Sequence, residues 1–197
     1  MQPTLTSDLL MLSLLLLLFF ATVWDIIKHI IPNLISLAIL IGGTVFQVMW
    51  DGWAGSITAL SGMLIGFFIF IPFYIAGGMA AGDVKLMAAV GSLLGPQLAI
   101  LAASLSLIAG CLLALAWVLF KGDLPNLLKR YYRIVKTFCF TRQLIYEKPQ
   151  PGDTAALRFP YALAIMAGTL LTLAHQSQLS FYYLSDYLRF LFDGGVL

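Results

Sequence analysis

The sequence predicts an all-α protein, a polytopic membrane bundle of about six transmembrane helices with both termini on the outer side. Of the 197 residues, 61% are apolar and only 10% are charged, and the mean hydropathy is +0.96. A soluble domain carries about 25% charged residues, so most of this chain is expected to avoid water. One helical crossing needs roughly 20 apolar residues, and the length therefore leaves no room for a separate soluble domain.

Charge and cysteine content exclude several other classes of protein. The net charge of +2 is small, and no basic stripe alternates with stacking aromatics, so we expect no nucleic-acid partner. Cys111 and Cys139 are too few for a four-thiolate zinc site, and no His/Cys cluster has ligand spacing. We therefore expect neither a metal nor another cofactor. A disulfide is not expected either, because one cysteine lies in an apolar run and the other in a basic loop.

Six apolar segments follow one another along the chain. They cover residues 9–27, 31–50, 55–76, 78–94, 97–120 and 159–174. No Lys or Arg precedes the first segment, whereas a secretory signal begins with basic residues, so this segment is expected to be retained as a span. The chain is thus predicted to form one membrane-embedded domain over residues 1–197.

The fourth segment is the shortest candidate span. From Asp83 onward it offers about 18 Å of helix, against a hydrocarbon core about 30 Å thick. We expect Gly77, Gly78 and Gly82 to supply non-helical backbone beside a water-filled cavity, where such backbone is tolerated at membrane depth.

Basic residues orient the predicted spans. Lys and Arg near the ends of spans favour the cytoplasm. With the N-terminus outside, Lys28, Lys85 and the basic loop 121–158 lie inside, and Arg189 is the only basic residue left outside. The opposite orientation would export nearly all of the positive charge. The sequence therefore predicts an N-out, C-out topology with an outer tail over residues 177–197.

Two aspartates occupy the same predicted depth. Asp25 ends the first segment and Asp83 opens the fourth, so the topology puts both at the cytoplasmic boundary. Two carboxylates that share one proton do not both ionise easily. The ionised one can take a proton from an attacking water while the protonated one donates to a peptide carbonyl oxygen. This is the arrangement that an aspartic peptidase needs.

Each aspartate also has a purely structural interpretation. Asp83 follows glycines and precedes a helix, where an aspartate can serve as an N-cap. Asp25 follows Trp24, an interfacial residue type, and can pair with Lys28 one helical turn on. Topology alone leaves both interpretations open.

Three motifs in order resemble the type IV prepilin peptidases, which are GxGD intramembrane aspartyl peptidases. Residues 77–86 read GGMAAGDVKL and are similar to the GxGD signature. Residues 25–33 read DIIKHIIPN, which resembles the first-aspartate segment of that family, and residues 159–165 read FPYALAI, which resembles the start of its last span.

The resemblance implies cleavage of a basic leader from type IV or Tad-type pilin and pseudopilin precursors, in the bacterial inner membrane. It implies that Asp25 and Asp83 are the catalytic pair. The further motif or site-lining residues are Gly82, Ala80, Lys85, Pro32 and Asn33. Ala80 replaces the first glycine of the signature, and its methyl group is expected to crowd a tight turn. The precursor, the residue at the cut and the oligomeric state are not fixed by these patterns.

The short form looks most like the Tad-type peptidases. Larger members carry an N-terminal methylating domain with a four-cysteine metal site, whereas residues 1–8 alone precede the first span here. Methyltransferase activity is therefore not expected. Two alternatives to an active peptidase remain: a proton-coupled small transporter, because intramembrane carboxylates mark ion pathways, and an inactive assembly subunit of the same fold.

The remaining motif residues and the basic loop have alternative interpretations. Lys85 either follows the positive-inside rule or acts on Asp83. Pro32 and Asn33 either begin the second helix, where Pro is favoured in the first turn, or line the site. The loop 121–158 carries apolar residues at helical spacing with basic residues between them. We expect an amphipathic helix there that binds anionic lipid on the inner leaflet, and a substrate-docking surface is the alternative.

Overall fold

The computed structural model describes residues 5–121 and 160–176, and within these ranges all regular structure is helical. The predicted all-α class is confirmed. The amphipathic helix expected in the basic loop, and the tail 177–197, lie outside the described residues.

The described chain forms five helices. They are α1 (Leu5–Lys28), α2 (Asn33–Asp51), α3 (Trp53–Ile75), α4 (Ala81–Lys121) and α5 (Ala162–Gln176). The first four are long and apolar enough to cross a membrane, and α5 is a shorter apolar helix. α1 to α3 match the first three predicted segments, α4 covers the fourth and fifth, and α5 covers the sixth. The count of six crossings and their orientation stay predictions.

Helix α4 folds back on itself where the fourth and fifth predicted segments meet. Gly95 is non-helical, with φ 76° and ψ 175°, and Pro96 follows it. A Cβ atom built on Gly91 would lie 3.4 Å from the Cβ of Ala99. In a straight helix, residues with this separation in sequence would be about 12 Å apart. Residues 81–94 and 96–121 are therefore two arms of a helical hairpin.

The first arm of α4 packs backbone to backbone against α3. A Cβ atom on Gly62 would collide with the carbonyl oxygen of Gly91, and one on Gly91 would collide with that of Gly62. One turn further along, a Cβ on Gly66 would lie 2.6 Å from the carbonyl oxygen of Met87. Small residues permit such close helix packing in membranes. The two helices are antiparallel, because the residue number falls along α3 as it rises along α4.

Helix α2 runs parallel to the same arm and is joined to it at both ends. Near its start, Lys85 Nζ donates to Asn33 Oδ1 at 3.2 Å. Near its end, Gln47 Nε2 donates to the carbonyl oxygen of Leu93 at 2.9 Å. That carbonyl belongs to the last turn of the arm, where carbonyls lose their helical partners. Gln47 thus satisfies a group that the reversal at Gly95 leaves open.

Helix α5 packs between α1 and the second arm of α4. Thr22 Oγ1 contacts Met166 Sδ at 3.7 Å on one side, and Gly168 lies directly against Ser106 on the other. α1 therefore ends, and α4 and α5 begin, at the same end of the bundle. That end contains the candidate site.

Candidate active site

Asp25 lies in the last turn of α1 and is 6% exposed. Its Oδ2 accepts a hydrogen bond from the backbone N–H of Ala162, the first residue of α5, at 3.3 Å. The first N–H groups of a helix have no partner within it, and they carry the positive end of the helix dipole. The start of α5 is thus a suitable partner for a buried carboxylate. The described contacts of Asp25 do not include the expected pairing with Lys28, which lies exposed at the helix end.

Asp83 is the third residue of α4 and is 4% exposed. Its Oδ2 accepts from the backbone N–H of Ala80 at 2.8 Å, and its own N–H donates to the carbonyl oxygen of Ala80 at 3.1 Å. An acidic side chain at the third helical position that binds the residue before the helix is one half of a capping box. Asp83 does therefore cap α4, from this position and not as the N-cap itself.

Each aspartate keeps one carboxylate oxygen available. Asp25 and Asp83 both bind a backbone N–H through Oδ2, and within the described residues neither Oδ1 has a hydrogen bond. The two carboxylates are close enough to interact electrostatically. Capping and acid–base chemistry are thus compatible at Asp83, because they use different oxygens.

Gly82 helps to bring the two aspartates together. A Cβ atom at this position would lie 3.2 Å from the Cβ of Ile31, a buried residue of the connection between α1 and α2. Gly82 is helical, so the expectation of non-helical backbone here is wrong. That role falls to Gly77, which has φ 77° in the turn before α4. The glycine next to Asp83 instead permits close approach of the segment that follows Asp25.

Lys85 and Asn33 lie at the exposed edge of the site. Both side chains are exposed and hydrogen-bonded to each other, so they join α4 to α2 beside Asp83. Pro32 precedes α2 as its N-cap residue, with φ −62° and ψ 125°, one position earlier than the first-turn site expected from sequence. Its carbonyl accepts from Ile35 N–H at 3.1 Å.

Ala80 is exposed and tolerates its methyl group. Among the described non-glycine residues, only His29 has a positive φ, 53°. Ala80 thus lies outside the left-handed region that would favour glycine. The crowding expected from the alanine in place of the first signature glycine is not seen in its backbone.

Two parts of the site were missed in the sequence. Tyr161 belongs to the third motif but was assigned no role, and its hydroxyl is close enough to interact electrostatically with Asp83 and Cys111. The N–H of Ala162 leaves no signal in the sequence, because every residue except proline carries one. The one signal in the sequence is Tyr161 itself, because a tyrosine hydroxyl at the start of an apolar segment needs a polar partner.

A metal site is not evident in the described part of the chain. No group of three or more His, Cys, Asp or Glu side chains there could hold a metal ion. The chemistry that the described site offers is that of two interacting carboxylates with backbone donors.

Membrane-length helices that carry two buried carboxylates at one end are typical of a membrane protein with a functional site there. The profile of the type IV leader peptidase family matches residues 12–116, more than half of the chain and including both aspartates. The protein belongs to the type IV leader peptidase family and is a multi-pass membrane peptidase. No curated protein and no solved structure matches it.

Proposed function

We propose that this protein is an aspartic endopeptidase. It removes the basic leader of type IV or Tad-type pilin-like precursors at the cytoplasmic face of the bacterial inner membrane. The observation that carries the proposal is the pair formed by Asp25 and Asp83, two buried carboxylates that interact and that each keep an oxygen without a described hydrogen bond.

The pair performs acid–base catalysis on a water molecule and a peptide bond. The ionised carboxylate takes a proton from water as the water attacks the scissile carbonyl carbon, and the protonated carboxylate donates to the carbonyl oxygen. The proton taken from water then passes to the leaving amine as the C–N bond breaks, and one hydroxyl of the intermediate returns its proton to the second carboxylate as the product acid forms. The N–H groups of Ala80 and Ala162 orient the two carboxylates, since hydrogen bonds to an ionised carboxylate are strong.

The surroundings of the pair suit a substrate that lies partly in the membrane. Trp24, Ile26 and Ile27 are about half exposed or more beside Asp25, and we assign this apolar face to lipid. Lys85 and Ala80 are exposed beside Asp83, which gives water a route from the polar side. A precursor whose apolar helix ends at the interface would present its cleavage site at this boundary.

The test is cleavage of a pilin-like precursor co-expressed with the wild type, Asp25→Asn or Asp83→Asn. Asparagine preserves size and an acceptor oxygen but does not share a proton. Each change is expected to lower cleavage by about 10²–10⁴-fold, the usual contribution of general acid–base catalysis. The matched control is Asp51→Asn, the same chemical change at an exposed residue where α2 ends, far from the pair. Wild-type cleavage by either site variant would remove that aspartate from the mechanism.

The same experiment separates the alternatives. An inactive subunit would give no cleavage even with the wild type, and the backbone of Ala80 provides no reason to expect this. A transporter would favour carboxylates near the midplane, whereas this pair lies where α1 ends and α4 begins.

Cysteines introduced at Lys28 and Asp51, in a background without Cys111 and Cys139, test the membrane orientation. An impermeant thiol reagent added to intact cells should label only the cysteine at position 51.

A further inference from the structure

The dipeptide Tyr161–Ala162 begins α5 at the candidate site, and one of its residues contacts Asp25. The N–H of Ala162 binds Asp25 at 3.3 Å, and the hydroxyl of Tyr161 is close enough to Asp83 to interact with it electrostatically. The start of α5 therefore binds Asp25 through Ala162 and places Tyr161 within electrostatic range of Asp83, which another helix carries. None of the roles proposed above uses Tyr161.

Contacts from two helices fix the Tyr161 side chain. Its ring packs edge-to-face on the buried ring of Phe70 in α3, with 5.9 Å between centroids and 82° between planes. Its hydroxyl lies over Gly110, where a Cβ atom would be 2.5 Å from the oxygen, and donates weakly to the carbonyl oxygen of Ser106 at 3.4 Å. The second arm of α4 thus provides space for this hydroxyl.

We propose that Tyr161 is a positioning residue of the active site. Its packed ring and its hydroxyl, held against Ser106 and Gly110, fix the first turn of α5 in place, so that the N–H of Ala162 orients Asp25. The inference rests on the proposed function and deepens it. Tyr161 acts through the two aspartates and takes no proton from the substrate.

The titratable groups around this residue define what a pH measurement would report. Asp83 and Cys111, both on α4, interact with the Tyr161 hydroxyl, and His29, after α1, interacts with Asp25. From α2, Asn33 binds Lys85 beside Asp83 and does not titrate, and the ring that α3 contributes is Phe70. A change in pH dependence on removing the hydroxyl would therefore report on Asp83 or Cys111, and the background without Cys111 and Cys139 isolates Asp83.

The test uses the purified full-length protein in lipid vesicles, with a pilin-like precursor as substrate. Tyr161→Phe keeps the ring and loses the hydroxyl. It is expected to lower kcat about three- to tenfold, the effect of one lost hydrogen-bonding group, with KM unchanged and the pH profile displaced. Tyr161→Leu loses the aromatic packing as well and is expected to lower kcat at least about a hundredfold, as for a misplaced catalytic group.

A second readout is independent of activity. Cysteines at Thr22 and Met166, whose side chains are in contact at 3.7 Å, report on the docking of α5 against α1 in a background without Cys111 and Cys139. Cross-linking is expected to match wild type in Tyr161→Phe and to slow in Tyr161→Leu.

A third variant tests the position of the hydroxyl by activity. Gly110→Ala, whose added Cβ would displace the Tyr161 hydroxyl, should lower kcat, whereas Gly42→Ala, with nothing within 4 Å of the added Cβ, should not.

The outcomes separate this inference from the proposed function. Full cleavage by Asp25→Asn or Asp83→Asn would overturn the aspartic mechanism itself. If those variants are inactive but Tyr161→Phe has the kcat and pH profile of the wild type, the role of the hydroxyl is overturned. If Tyr161→Leu cross-links and cleaves at the wild-type rate, the positioning role of the ring is overturned too.

Discussion

Gly82→Ala tests how closely the connection after Asp25 must approach Asp83. The added Cβ would lie 3.2 Å from the Cβ of Ile31, tighter than ordinary contact, so one of the two segments must move by a few tenths of an ångström. Overpacking of this kind costs about 1–3 kcal/mol. Because Gly82 is helical, alanine also recovers about 0.5–1 kcal/mol of helix propensity. The two effects partly offset, and the net loss of stability should be about 0–2.5 kcal/mol.

Catalysis should be more sensitive than stability to this change. A displacement of about 1 Å in a catalytic group can cost about a hundredfold in rate, so a shift of a few tenths is expected to cost several-fold. The assay compares kcat for precursor cleavage with the midpoint of thermal unfolding in detergent. The control is Gly42→Ala, where the added Cβ meets nothing within 4 Å, and it should retain both values.

One result would refute this reasoning directly. If Gly82→Ala cleaves at the wild-type rate and is at least as stable, then the approach of Ile31 does not set the position of Asp83. If instead the protein fails to accumulate, Ile31→Val together with Gly82→Ala distinguishes the causes. Valine shortens the Ile31 side chain but keeps its Cβ, so recovery in the double variant would place the clash beyond that atom.

Three further perturbations have separate expected outcomes. Asp83→Ala should destabilise the protein by about 1 kcal/mol more than Asp83→Asn, because only asparagine keeps a capping oxygen, while both should lower cleavage by at least about 10²-fold; equal unfolding midpoints would contradict the capping role. Gln47→Met should cost about 1–3 kcal/mol by leaving the Leu93 carbonyl without its donor, measured as a lower unfolding midpoint with the proposed site intact. Gly62→Ala should be the most damaging of these to accumulation in the membrane, because its methyl group would collide with the backbone of Gly91 and not with a movable side chain; normal accumulation would contradict the backbone packing of α3 on α4.

The sequence predicted the helices well because their signal is additive. Each apolar run sums a small contribution over many residues, so the run is visible without knowledge of its neighbours. The roles of Gly95 and Pro96 in the reversal were not predicted. The catalytic role of the two aspartates stays a prediction. A carboxylate at the end of an apolar run suggests a function, but Asp51 also ends such a run, and only the resemblance singles out Asp25 and Asp83.

The rest of the site could not be predicted because it depends on contacts between helices. The donor to Asp25 is a backbone N–H at Ala162, and nothing in the identity of an alanine indicates it. The prediction of non-helical backbone at Gly82 was wrong for a similar reason. Position 82 requires a glycine because Ile31, on another segment, lies close to it. The bounds of α1 to α3 follow from the residues within each helix, whereas the close approaches at Gly62, Gly66 and Gly82 depend on residues of other segments.

The bond between Ala162 and Asp25 has a consequence for biosynthesis. The carboxylate is translated early, in the first helix, and its backbone donor belongs to the last described one, beyond the basic loop. A nascent chain that has inserted α1 to α4 therefore already contains both aspartates, yet one of them still lacks the group that orients it. Full assembly of the site then has to wait until the ribosome has released α5 into the membrane.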